Sequence, residues 1–175
     1  MREYVGRHEY DGKVEDLSPE GVKAGLARLG VGQEPEPDPH DEAHLAAFER
    51  RARLELGELE LHRSNPLYHI SALDVSCYDR EYAPEAERAQ ASRRHLGAWP
   101  DAVDAAVAAL DRVPAPVAEA LLPAAEGLIA ELDPEGSGEP QGGAPVSRRA
   151  DPVVERAVEA HKRLVAHLEA AAADG

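Results

Sequence analysis

A chain of 175 residues with 34 acidic against 19 basic side chains carries a formal charge of −15, which argues against nucleic acid, whose recognition draws on clustered Lys and Arg, and against an anionic membrane. No apolar run approaches the roughly 20 residues that span a bilayer. The first residues lack the basic-then-apolar order of a leader and the lone Cys77 has no internal disulfide partner, so a soluble, cytoplasmic protein is expected.

One Phe, one Trp and five Tyr leave the core to Leu, Val and above all Ala, which bury little area each at about 25 cal/mol per Å². Residues 1–17 read as a polar N-terminal segment containing Gly6-Arg7-His8-Glu9-Tyr10-Asp11-Gly12. Ser18-Pro19-Glu20 is a cap followed by proline, and it predicts a short helix to Leu29 with Val22, Leu26 and Leu29 on one face and Gly30 as the exit. Residues 31–39, with Pro35, Pro37 and Pro39 among acids, read as an extended linker.

From Asp38 or His40 to about His62 the pattern predicts one long helix. Leu45, Phe48, Ala52, Leu56 and Leu59 form one stripe and Ala47, Leu54 and Leu61 a second, which suggests burial between neighbours. Asn65-Pro66 opens a third helix with Leu67, Ile70, Leu73 and Cys77 inward. After a turn at Tyr82-Ala83-Pro84, a fourth helix runs to about Leu96. Trp99-Pro100-Asp101 is expected to break the chain before a fifth through Val103, Val107 and Leu110. A sixth spans Val117 to Leu132 with a kink or break at Pro123. Residues 133–150 are too rich in Gly and Pro for a regular element and read as a flexible loop, and 151–175 form a last helix capped by Asp151-Pro152. No segment alternates as a strand does. The fold class is all-α, a bundle-like array of about six to seven helices joined by Pro/Gly-rich loops.

No segment has the spacing of a complete active site. His40-Asp41-Glu42-Ala43-His44 places two histidines on one helical face, but the zincin pattern needs Glu where Asp41 stands and the inverted pattern needs Glu where Ala43 stands. An exposed first turn, with acids at the positive helix end, accounts for it. His8-Glu9 is followed by Gly12 where a second ligand belongs. His62, His95, His161 and His167 are expected on the solvated surface. No nucleophile elbow occurs, Cys77 reads as a buried inert thiol in mid-helix, and Gly136-Ser137-Gly138 lacks the strand and Lys of a phosphate loop. No catalytic or metal-ligating residue is assigned.

Gly6-x-His8-x-Tyr10-Asp11-Gly12 through Asp16-Leu17-Ser18-Pro19-Glu20, then Asn65-Pro66-Leu67-Tyr68, Tyr82-Ala83-Pro84 and Arg93-Arg94-His95-Leu96-x-x-Trp99-Pro100 stand in this order. They resemble the N-terminal part of the bacterial domain-of-unknown-function family 885, whose full-length members resemble HExxH zinc peptidases. The likeness extends to about Leu132. It implies a longer helical protein with its zinc-binding helix downstream. No His-Glu-x-x-His occurs here, so no catalytic role is carried over, zinc is implied only for the downstream part, and the chain reads as a truncated member or a free-standing N-terminal module.

By that analogy the chain forms part of a substrate-channel wall or lid, with His8 and Tyr10 as candidate substrate-lining residues; the plainer reading is that they fix the loop against the next helix. Its partner is then the missing C-terminal catalytic region. The alternative is a stand-alone helical module, without enzymatic activity, that binds a protein partner or a second copy of itself, with homo-oligomers possible. A third reading, a hydrolase built on His40 and His44, has the least behind it.

Overall fold

The computed structural model describes residues 8–31, 38–132 and 151–174. Among them the chain is all-α, with seven α-helices and no strand. They are α1 (Pro19–Arg28), α2 (Pro39–Ala52), α3 (Leu61–Ser64), α4 (Leu67–Leu73), α5 (Glu85–Ala109), α6 (Ala115–Leu132) and α7 (Pro152–Ala173). Short 3-10 turns lie at His8–Tyr10 and Ser76–Asp79. The expected loop at 133–150, linker residues 32–37 and the first seven residues lie outside the described residues. No described helix is long and apolar enough to cross a membrane.

Three helix starts follow their sequence signals. The Gly21 N–H donates to Ser18 Oγ at 3.0 Å, the His40 N–H to Asp38 Oδ1 at 2.7 Å and the Val153 N–H to Asp151 Oδ1 at 2.9 Å. In each case proline follows the cap, where its missing N–H has no intrahelical partner to lose. Pro39 is therefore the first residue of α2 and not the end of a linker. Helix α1 closes as its sequence predicts, with Gly30 left-handed at φ +74.

The expected break at Trp99-Pro100-Asp101 does not occur: α5 is one helix of 25 residues with Pro100 inside it. Proline in a helix interior costs about 3 kcal/mol or more. Leu96, Trp99, Val103 and Ala106 recur on one face of α5 and are all buried, and each large apolar side chain contributes about 1.5–3 kcal/mol, so packing on both sides of Pro100 outweighs the lost bond. Pro123 likewise lies inside an unbroken α6.

The predicted helix to His62 is also corrected. Helix α2 passes into a π-helical stretch, Arg53–Glu58, and the chain then turns at Glu60, a non-glycine residue in the left-handed region at φ +49 and ψ +43. The two stripes are not buried between neighbours. No residue of α2 or of the π-helical stretch is buried, and Phe48, Leu54 and Leu59 are 48%, 46% and 55% exposed. In α4, Ile70 and Leu73 point inward as expected, but Leu67 is exposed and Cys77 belongs to the 3-10 turn beyond the helix. The apolar pattern is present, but no described element buries it.

The core lies where α7 packs along both α5 and α6. Trp99, Val103, Leu110, Ala125, Leu128, Ala157, Leu164 and Leu168 belong to it. Alanines at Ala106, Ala118, Ala157 and Ala160 are fully covered, so small side chains let the backbones approach closely.

Histidines complete this core, a correction to their expected place in solvent. His62, His95 and His161 are buried, as is His69, and His167 is half-buried. Nε2 donates to a carbonyl in four of them: His69 to His62 O at 2.8 Å, His95 to Ala72 O at 3.1 Å, His161 to Ala125 O at 2.8 Å and His167 to Leu110 O at 2.9 Å. A carbonyl only accepts, so Nε2 carries the proton. Ala72 and Leu110 sit at helix ends, where carbonyls lack intrahelical partners. In a chain short of aromatics, a ring that fills volume and satisfies an orphan carbonyl does two jobs.

Candidate functional site

The polar N-terminal segment is fastened to α5 by a buried hydrogen-bonded chain. The Gly12 N–H donates to Tyr78 Oη at 2.8 Å, and Tyr78 Oη lies 3.1 Å from His95 Nδ1. Because His95 Nε2 donates to Ala72 O, Nδ1 of the neutral ring is the acceptor and the Tyr78 hydroxyl donates to it. The rings of Tyr78 and His95 meet edge to face, with centroids 5.7 Å apart. Arg88 holds the same turn by donating to Tyr78 O at 2.6 Å and to Ala83 O at 3.0 Å. Gly12 is required by this approach: it has φ +77, and a Cβ there would lie 2.9 Å from Arg94 Nε and 3.0 Å from Ala91 O.

His8 and Tyr10 lie at the outer end of this arrangement. His8 is exposed, with Nδ1 3.3 Å from Asp11 Oδ2 and its ring stacked on Tyr82 at 5.2 Å and 13°. The Tyr82 hydroxyl donates to the same Asp11 oxygen at 3.1 Å; burial, and then this carboxylate, pushes the Tyr82 pKa up to about 12. Tyr10 is exposed, and Lys13 Nζ lies 5.2 Å from its ring centroid. The structure thus joins Gly12, Tyr82, Arg94 and His95 from segments far apart in sequence. Tyr78, the link between them, is not legible in the sequence, since nothing in Ser76-Cys77-Tyr78-Asp79 marks it.

His40 and His44 do meet, with ring centroids 4.2 Å apart, on the exposed first turns of α2. Among the described residues no group of three or more His, Cys, Asp or Glu side chains is placed to hold a metal ion. The residues here do not fit zinc.

Two clefts stand out among the described residues. The first, about 290 Å³, lies under the strap Val14-Glu15-Asp16-Leu17 and is walled by α4 and α5 through His69, Ala72, Leu73, Ala98, Asp101, Ala102 and Ala105. Neither His8 nor Tyr10 lines it. The second, about 300 Å³, lies between α1, the π-helical stretch, α3 and the end of α5. Its wall includes Lys23, Glu60, His62, Arg63 and Asp111. Arg63 donates to Asp111 Oδ1 at 2.9 Å, to Asp111 Oδ2 at 2.5 Å and to Glu60 Oε1 at 3.1 Å; Arg112 donates to Glu60 Oε2 at 2.7 Å. Hydrogen bonds from these guanidiniums hold both carboxylates below their usual range. The two clefts sit back to back, since the His69 ring that walls the first bonds the carbonyl of His62, which walls the second. Compared with protein-family models, with curated proteins and with solved structures, the chain matches none.

Proposed function

We propose that this chain is a non-catalytic helical region of a zinc-peptidase-like protein, forming part of a substrate-channel wall or lid. The resemblance of its ordered motifs supports the family reading. One observation supports the role: α2 and its π-helical continuation bury no residue and present Phe48, Leu54 and Leu59 outward. An apolar helix face of this kind marks a surface that another element covers. In the peptidase reading that element is the downstream catalytic region, which supplies the zinc site. The Tyr78–His95 lock supports a framework role for the N-terminal segment, with His8 and Tyr10 exposed at its outer end.

The alternative, a stand-alone interaction or self-association module, draws on the same face and differs in what covers it. Sequencing past Gly175 separates the two. If a His-Glu-x-x-His helix follows, Phe48→Asp in the longer protein should lower peptide hydrolysis at unchanged zinc content, and unchanged hydrolysis would remove the wall assignment. His8→Ala and Tyr10→Phe test the outer end of the segment in the same assay. If a stop codon follows, sedimentation of the 175-residue chain as a dimer that Phe48→Asp dissociates would favour the module.

A further inference from the structure

His62 is the one buried histidine of the described residues whose ring makes no hydrogen bond. It is 3% exposed, its Nδ1 is wholly buried without a partner, and the ring forms part of the wall of the 300 Å³ cleft. The other buried histidines each satisfy a carbonyl through one ring nitrogen; Trp99 Nε1 and His161 Nδ1 are buried without partners as well, but both belong to the bundle core, and His62 stands at a cavity. Buried polar atoms are nearly always bonded, and each exception calls for an explanation.

The charges around the cleft are unevenly satisfied. Arg63 and Arg112 are both engaged with Glu60 and Asp111, two cations against two carboxylates. Lys23 also lines the cleft, and among the described residues it has neither ion pair nor hydrogen bond. The lining itself is neutral, with Lys23 and Arg63 against Glu60 and Asp111, and Lys23 is its one charge without an ion pair among the described residues. The rest of the wall is apolar: Val22, Leu26, Leu56, Ala108 and Ala109. Gly57 completes it at a close approach, since a Cβ there would lie 3.3 Å from Leu26 Cδ1.

We propose that this cleft binds a small monocarboxylate with an apolar body. The carboxylate meets the Lys23 ammonium at the rim, the body lies against Val22, Leu26, Leu56 and Ala109, and the His62 ring gives the floor its hydrogen-bonding group through Nε2, the ring nitrogen that is not wholly buried. Burial lowers the pKa of His62, which favours the neutral ring. A volume near 300 Å³ is at the small end for ligand sites, which limits the acid to a short chain or a single ring. The π-helical stretch and the left-handed Glu60 shape this wall, and π-helical insertions are frequent at functional sites. The site does not depend on the peptidase reading.

The test is a titration of the full chain with butyrate, hexanoate and benzoate, followed by the His62 imidazole resonances and the Ala108 and Ala109 methyl signals. Acids should shift these signals saturably, while butylamine and butyramide should not. Lys23→Gln, at an exposed position, should weaken acid binding about tenfold or more, the size expected for losing a charge-assisted bond. Ala108→Leu, which fills the cleft from an exposed position, should abolish it with the fold intact by circular dichroism. Amine or amide binding as strong as acid binding, an unchanged affinity in Lys23→Gln, or no saturable shift at His62 would each overturn the assignment.

Discussion

The helices α5, α6 and α7 and the helices α1 and α2 are equally helical, yet they are held in different ways. In the first group an apolar face meets another on a facing helix: Trp99, Leu164 and Leu168 are fully covered. In the second, Val22 is the one buried residue of α1, α2 has none, and the only Phe of the chain is half-exposed. What fastens the N-terminal layer is a set of polar points. Arg53 donates to Leu29 O at 3.0 Å, Tyr68 to Glu55 Oε2 at 2.7 Å, and Arg63 to Asp111 across the junction with α5. Periodicity makes a helix possible in both regions; a partner face makes it stable in one.

The largest effect should fall on the bundle. Trp99→Ala removes a fully covered side chain from its centre and should cost about 3–5 kcal/mol, a large share of the roughly 5–15 kcal/mol that holds a domain folded. Phe48→Ala, also an aromatic-to-alanine change, should stay within about 0.5 kcal/mol because the side chain is half in water already. Urea unfolding followed by circular dichroism measures both. Equal losses at the two positions would break the distinction between the regions and show that Phe48 has a covering neighbour in solution.

A smaller effect sharpens the same distinction at the seam. Tyr78→Phe leaves the Gly12 N–H and His95 Nδ1 without the hydroxyl that joins them, and an abandoned buried group costs about 1–3 kcal/mol. Amide exchange at Gly12 should quicken while amides of α7 keep their protection. If α7 loses protection equally, the N-terminal segment is part of the bundle's cooperative unit and not an addition to it.

Acid should reach the molecule through its histidines. Burial lowers the pKa of His62, His69 and His161 from the ordinary 6.5. As pH falls, the unfolded chain therefore takes up protons before the folded one does. The stability that depends on these neutral rings is fully present above about pH 6.5, declines below it and is lost once the folded rings are protonated, at about 1.4 kcal/mol per unit of pKa difference for each ring. His161→Gln should flatten this decline in urea midpoints between pH 7 and pH 5. An unaltered slope would mean that the rings of the junction, His62 and His69, carry the sensitivity, placing the acid-labile point in the polar region.

Much of this architecture is legible in the residues themselves. Ser18-Pro19 and Asp151-Pro152 mark helix starts because a cap followed by proline is a local device, complete within three residues. Pro100 misleads because its cost is local while the burial that outweighs it is contributed by α6 and α7, far along the chain. The histidines mislead for the same reason: a polar ring reads as surface until the orphan carbonyls of Ala72 and Leu110 are brought against it. The cleft walled by Lys23 and His62 joins residues from α1 and α3 to Asp111, and no spacing in the sequence announces that meeting. Eight histidines beside one Trp and one Phe were the available signal that rings would be needed inside.

The smallest effect should come from the ion pair that decorates the bundle. Arg163 of α7 donates to Asp104 Oδ1 of α5 through Nε at 3.1 Å and Nη2 at 2.6 Å. The side chains are 48% and 65% exposed, so water screens the attraction and ordering the long arginine opposes it. Arg163→Ala should cost about 0.2–1 kcal/mol, and less at high salt, where the Debye length is about 3 Å at 1 M. The contrast with Trp99 is then several-fold for two residues that join the same helices. Urea midpoints at low and high salt would measure it. A loss near that of Trp99→Ala, insensitive to salt, would mean that α5 and α7 are held by a polar clasp, as the N-terminal layer is, and the two regions would no longer differ in kind.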